Sequence, residues 1–100
     1  MKIDENLEQG IYTVKLSEKF TFEDHMAFRE ILIKVESGEN AEVNFDMSGV
    51  TFVDSAALGM LLLANDKIKN NNKGFVLSGA TGQVKKMFEM AKFDQIFTIE

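Results

Sequence analysis

The chain has 100 residues, 45% of them hydrophobic and 27% charged with both signs interspersed, which fits one globular domain and excludes a linker or tail. Sixteen acids against eleven bases give a net charge of −5, and no run of Lys or Arg exceeds two residues, so nucleic acid and anionic membrane surfaces are poor partners. There is no cysteine, which removes disulfides, thiolate catalysis and Cys-type zinc sites together.

The first ten residues, MKIDENLEQG, contain no apolar stretch of the signal-peptide kind. Further along, the longest apolar run, Ala56 to Ala64, is about half of what a membrane-spanning helix needs, and Asn65 and Asp66 close it. A soluble, cytoplasmic protein without membrane insertion is the expectation.

In chain order, Gly10 to Leu16 (GIYTVKL) is β-branched and alternating, and Glu8-Gln9-Gly10 reads as the turn from a shorter N-terminal strand. Lys19-Phe20 suggests another brief strand. Thr21 with Asp24 three residues on is a variant of the capping box, and Phe28, Ile31, Leu32 and Val35 follow at helical spacing until Gly38 stops the helix. Val43, Phe45 and Met47 alternate with Asn44 and Asp46, as in a strand with one face in the core.

A second helix begins within FVDSAALGMLLLAND (52–66), with Leu58, Leu61, Leu62 and Ile68 expected inward and Asn65 interrupting that side. The triple Asn70-Asn71-Asn72 is the turn after it, and Phe75-Val76-Leu77 is a short buried strand stopped by Ser78-Gly79. A third helix starts near Gly82 with Val84, Met87, Phe88 and Ala91 on one side, and Gln95 to Ile99 reads as the last strand. Helix-bearing crossovers between strands imply mostly parallel pairing, hence an α/β domain with a mixed sheet.

Asp54 and Ser55 stand where strand or loop hands over to helix. Both are favoured N-cap residues, because their side-chain oxygens accept N–H groups that the helix leaves unpaired. A capping role is therefore one reading. A nucleophilic Ser55 would need a base in hydrogen-bond reach, and the single histidine, His25, sits in the first helix with no recognisable motif around it. The G-x-S-x-G elbow is absent as well, since Val53-Asp54 and Ala56-Ala57 flank the serine.

Asp46 and Asp54 come from neighbouring elements and could approach one another, but no EF-hand loop or His cluster accompanies them, so no metal is expected. The P-loop pattern is missing too. Gly79 to Gly82 (GATG) lacks the following lysine and offers a weak anion site at best, so no cofactor is expected.

The outer side of the second helix is unusual. At 100° per residue Ala56, Met60, Leu63 and Lys67 lie opposite the expected inward face, where a helix covering one sheet face should be polar. Either a neighbouring helix covers this stripe, or it is exposed and serves a partner. Phosphorylating Ser55 beside it would add about −1.5 to −2 charges, tolerated by the helix N-terminus and opposed by an acidic or apolar partner surface.

The stretch Asp46-Met47-Ser48-Gly49-Val50-Thr51-Phe52-Val53-Asp54-Ser55-Ala56-Ala57-Leu58-Gly59 resembles the signature of bacterial anti-sigma factor antagonists, the stand-alone members of the STAS domain family. That pattern is a strand ending in Asp, a short loop, then D-S-[ST]-G-L-G opening a helix. The likeness extends to Gly74-Phe75-Val76-Leu77, to Val84-Lys85-Lys86-Met87-Phe88 and to the terminal strand, so it covers nearly the whole chain, residues 1–100, as one STAS domain.

The resemblance implies a mixed four- to five-stranded sheet packed on about three to four helices, and no catalytic activity. It implies that the unmodified protein binds an anti-sigma factor or a similar regulator, often a serine kinase with a histidine-kinase-like ATPase fold. It further implies that the kinase phosphorylates Ser55 and that a PP2C-type serine phosphatase reverses this. Asp54, Ser55, Ala56, Ala57, Gly59, Met60, Leu63 and Lys67 are the positions assigned to the partner surface. Two positions depart from the motif: its second hydroxyl residue is Ala56, leaving no acceptor adjacent to Ser55, and its glycine is Ala57.

Two other functions compete with this one. The first is a constitutive assembly subunit, resembling the small STAS component of lipid-transport ABC complexes. The other, a nucleotide-binding or hydrolysing domain, has no phosphate-cradling motif behind it.

Overall fold

The computed structural model describes residues 1–100. A hairpin of β1 (Lys2–Glu8) and β2 (Ile11–Phe20) leads into α1 (His25–Ser37), then β3 (Glu42–Val53), α2 (Ser55–Asn70), β4 (Gly74–Ser78), α3 (Gly82–Met90) and β5 (Thr98–Ile99). Short 3₁₀ turns precede α1 at Phe22–Asp24 and β5 at Phe93–Gln95. The five strands lie in sequence order, with β1 antiparallel to β2 and every later pair parallel. The expected mixed sheet on three helices is therefore present.

Strand order fixes where the helices go. Three successive right-handed crossovers that always step in the same direction place α1, α2 and α3 on one face of the sheet. Val14, Leu16, Val43, Phe45, Met47, Phe75 and Leu77 alternate onto that face and are buried. Lys15, Asn44, Asp46 and Ser78, of the opposite parity, face the other way and remain polar and at least partly open, while Val76 is the buried apolar residue on that side. There Ser78 Oγ meets Asn44 Oδ1 at 2.9 Å. For Asp46, burial alone would raise the pKa, but hydrogen bonds from the Ser48 backbone and side chain, with the Lys15 charge, outweigh it and hold the carboxyl below its usual value.

The core is one contiguous cluster of 22 residues. Through it runs a chain of rings, Phe20, Phe28, Phe45, Phe75, Phe97, Phe93 and Phe88, with neighbouring centroids 4.6–5.8 Å apart. Such pairs contribute about 0.5–1.5 kcal/mol each beyond the area they bury. The C-terminal end of α1 is closed from a distance. Lys73 Nζ donates to the carbonyls of Val35 (2.6 Å), Glu36 (3.1 Å) and Gly38 (2.7 Å), groups that a helix end leaves without partners.

Four expectations change. Gly10–Leu16 and Lys19-Phe20 are one strand rather than two, because β2 absorbs register shifts at Lys15/Ser17 and Glu18/Lys19, with Glu18 at φ 68°. β3 continues past Met47 to Val53 instead of giving way to a loop, paired with the far half of β2. The last strand shrinks to Thr98–Ile99, since Phe93–Gln95 turns as 3₁₀ helix.

The fourth concerns α2, whose buried residues are Ala57, Leu61, Ala64, Asn65 and Ile68. Leu62 is 38% exposed and Leu58 half-buried, so the inward face is rotated from the expected one. Two alanines on that face let the helix approach the sheet closely and push the larger leucines outward.

Two measurements follow from this packing. Asn65 is buried and its Oδ1 has no partner. Since an unsatisfied buried carbonyl costs about 1–3 kcal/mol, Asn65→Leu should raise stability by about 1 kcal/mol in urea unfolding; a loss would show that the amide has a role. Tyr12 is the only tyrosine in a chain without tryptophan. Burial, aided by its 2.6 Å hydrogen bond to Glu5, pushes the phenol up to about 12 from 10.0.

The folded state thus holds the Tyr12 proton more tightly, a contribution present below pH 10 and lost as pH rises toward 12. Glu5 is held below its usual value, chiefly by the Tyr12 hydroxyl against a burial effect that would raise it, with help from Lys34. Its contribution fades only as acid protonates it. Ultraviolet titration should show phenolate appearing near pH 12 in the native protein and near pH 10 in urea.

Candidate functional site

β3 delivers the chain to the C-terminal end of the sheet at Val53, and α3 fixes it there. Gln83 accepts from the Val53 N–H through Oε1 at 3.1 Å and donates from Nε2 to the Val53 carbonyl at 3.0 Å, replacing the ladder partner that the strand end has lost. The next residue, Asp54, is extended and caps α2, its Oδ1 accepting from the Ala57 N–H at 2.8 Å. Its other oxygen, Oδ2, accepts from the Phe22 N–H at 3.1 Å. One carboxylate therefore bridges the start of α2 and the 3₁₀ turn that leads into α1.

That turn has its own cap, the Thr21 N–H donating to Asp24 Oδ2 at 2.9 Å, as the Thr21-Asp24 spacing suggests. The Phe22 ring stacks on His25 with centroids 4.8 Å apart, and His25 Nδ1 lies 2.9 Å from the Phe22 carbonyl, which makes it the protonated nitrogen.

Ser55 is the first residue of α2, not its cap, so the capping half of its expected role passes wholly to Asp54. Asp54 wins because a charged carboxylate one residue earlier reaches the Ala57 N–H. The Ser55 side chain is left exposed, and its hydroxyl makes no hydrogen bond within the chain.

Asp46 does not join Asp54. With β3 continuous between them, seven strand residues lie between the two and set them about 25 Å apart. No group of three His, Asp or Glu side chains could hold a metal ion. The first glycine of the Gly79–Gly82 turn is packed against β3: at φ +74° a Cβ there would lie 2.9 Å from Ser48 Cβ.

Helices α1 and α2 run side by side from this point, both starting at the same end of the sheet, and leave a groove of about 400 Å³ between them. Met60, Leu63 and Lys67 line one wall, as three of the expected partner-surface residues; Leu63 is 50% exposed. The other wall is α1, with His25, Arg29 and Ile33 on one stripe at i, i+4, i+8. Phe22, 61% exposed and stacked on His25, and Met26, 67% exposed, add apolar surface at the start of α1.

This α1 wall was missed from sequence, though Met26 and Ile33, seven residues apart on the side away from Phe28 and Leu32, were the available signal. Of the remaining partner-surface assignments, Gly59 is exposed with open space beyond it and Ala56 is half-buried. Ala57 is a correction. Fully buried against the core, it offers no surface, because the first turn of α2 already faces the sheet there. Lys67 Nζ lies 3.9 Å from Glu36 across the groove.

Residues 4–99 match a family model described as "Mlab, STAS domain". Over 87 residues the chain is 32% identical to a STAS-domain containing protein of Pseudomonas aeruginosa (strain UCBPP-PA14), covering 87% of this chain and 85% of that one. Among solved structures, an anti-sigma factor antagonist from Mycobacterium paratuberculosis superposes with a TM-score of 0.87 at 16% identity, covering 98% of this chain and 83% of the other. The phosphorylated form of SpoIIAA, a Bacillus cell fate determinant, superposes with a TM-score of 0.72 at 13% identity, covering 99% and 91%. At such identities the two structures establish a shared fold. No helix of this chain is long and apolar enough to cross a membrane.

Truncating the bridging carboxylate separates its two jobs. Asp54→Ala should cost about 2 kcal/mol in urea unfolding, through loss of the cap and of a charged acceptor for Phe22. Asp54→Asn keeps a good capping oxygen but sets an N–H₂ against the Phe22 N–H, and should cost about half as much. Equal losses for the two variants would mean that the Phe22 contact dominates.

Proposed function

The chain belongs to the STAS domain family, and on that premise we propose that it is a protein-binding switch controlled by phosphorylation of Ser55. Unphosphorylated, it binds an anti-sigma factor or a related regulator, in the usual wiring a serine kinase with a histidine-kinase-like ATPase fold. Phosphate on Ser55 releases that partner, and a PP2C-type serine phosphatase restores binding. The output is regulation of transcription or signalling by exchange of partners.

The observation that carries this reading is the Ser55 hydroxyl itself: exposed, free of intramolecular bonds, and held by the Asp54 cap at the end of the sheet from which an apolar groove runs. The structural likeness to anti-sigma factor antagonists and to a phosphorylated member of that fold supports it. Phosphate at the first residue of α2 meets the positive end of the helix dipole, worth typically 0.3–1 kcal/mol, so the domain tolerates it. A partner seated next to it meets instead a new charge of about −2. The switch therefore acts on association and leaves the fold alone.

A second reading is favoured by the description of the matching family model, which names Mlab and no anti-sigma factor. In it the domain is a constitutive assembly subunit of a transporter complex. Genes for a kinase, phosphatase or response regulator beside this one favour switching; transporter genes favour assembly.

Site-resolved mass spectrometry of the protein from cells in several growth states should find phosphate on Ser55 that varies with condition. With Ser55→Ala as bait for the partner, Ser55→Asp should weaken its binding at least tenfold while unfolding within about 0.5 kcal/mol of the parent. No phosphate in any state, with unchanged binding by Ser55→Asp, would transfer the case to the assembly subunit.

A further inference from the structure

We propose that the groove between α1 and α2 receives an amphipathic helix of the partner that carries a carboxylate opposite Arg29, so that recognition is acidic on the partner's side. This rests on the reading that the groove is a docking site and adds the chemistry of its occupant. The walls present His25, Arg29 and Ile33 at i, i+4, i+8 on α1 and Met60, Leu63 and Lys67 at i, i+3, i+7 on α2. From His25 to Glu36 they extend about 16 Å, the length of three helical turns. An occupant with apolar residues at i, i+3, i+4 and i+7 matches that spacing.

Charge selects among such helices. The protein carries −5 overall, yet the groove holds Arg29 and Lys67 against a single acid, Glu36. Lys67 is already paired with that acid at 3.9 Å. Arg29 lies within 4.0 Å of no carboxylate, one helical turn from His25 and beside exposed apolar side chains. An unpaired, planar guanidinium there favours a carboxylate approached bidentately. The same complementarity explains what a phosphate at the start of α2 would oppose: a negative group set near an acidic helix repels it, whereas a basic helix would be drawn in.

The test uses a displayed library of helical peptides with Leu, Ile or Met at i, i+3, i+4 and i+7 and randomised polar positions, selected on the intact protein. Peptides that bind should be enriched in Asp or Glu at one position, lose at least tenfold in affinity on Arg29→Ala, and fail on Leu63→Asp. Selection on Arg29→Glu should exchange that acid for Lys or Arg. Peptides with neutral or basic residues there, peptides indifferent to Leu63→Asp, or no binders at all would overturn the proposal. If Ser55 is phosphorylated in cells and the library yields no acidic binder, the switch stands and this occupant falls. If acidic binders appear, Ser55→Asp leaves their affinity unchanged and Ser55 carries no phosphate in any growth state, the occupant stands and the switch falls.

Discussion

The two oxygens of Asp54 hold the site together. Oδ1 caps α2 and Oδ2 reaches the Phe22 N–H at the entry to α1, so both walls of the groove are anchored to the end of β3 by one side chain. Gln83 ties that end to α3, since it pairs both backbone groups of Val53. Three helices are thereby tied to two consecutive residues. The opposite end of α1 is secured by Lys73 in the turn before β4, at 2.6–3.1 Å from three carbonyls. The groove's width follows from these contacts as much as from the side chains lining it.

One-sided layering gives the groove its composition. Because the strands advance in a single direction, every crossover helix covers the same sheet face, and neighbouring helices must lie side by side rather than on opposite sides. Small residues in α2, Ala57 and Ala64, let it settle on the sheet. Its larger apolar residues are then displaced toward α1 and solvent, which is why Met60 and Leu63 end beside Ile33. An apolar residue on the outer side of a helix is thus a consequence of how the inner side packs.

Much of this architecture was legible in the sequence. Helices α1 and α3 announced themselves by apolar spacing, and Val43, Phe45 and Met47 fixed the inward parity of β3. The resemblance supplied the count of strands and helices, and the strand order itself appears only in the structure. What stayed hidden depended on distant partners. The extension of β3 to Val53 is fixed by its register with β2, and Ser48-Gly49 breaks the local alternation before the β-branched and aromatic run Val50-Thr51-Phe52-Val53 resumes it. Likewise the choice between Asp54 and Ser55 as cap turns on a backbone angle, and the second contact of Asp54 spans 32 residues. The rotation of α2 eluded periodicity because leucine at 58, 61 and 62 leaves several inward faces equally apolar.

The departures at Ala56 and Ala57 now take different meanings. Ala57 is core, and its methyl fills space that the motif's glycine would leave empty, while its N–H still reaches Asp54. Ala56 is at the surface edge, where a missing hydroxyl leaves Ser55 as the single acceptor at the start of the helix. Under the proposed function, a charge added there has no alternative position and no intramolecular cation paired to it in advance. Its effect falls on whatever occupies the groove, and the sign of that effect is set by Arg29: an occupant chosen for its acid is the one a phosphate can expel.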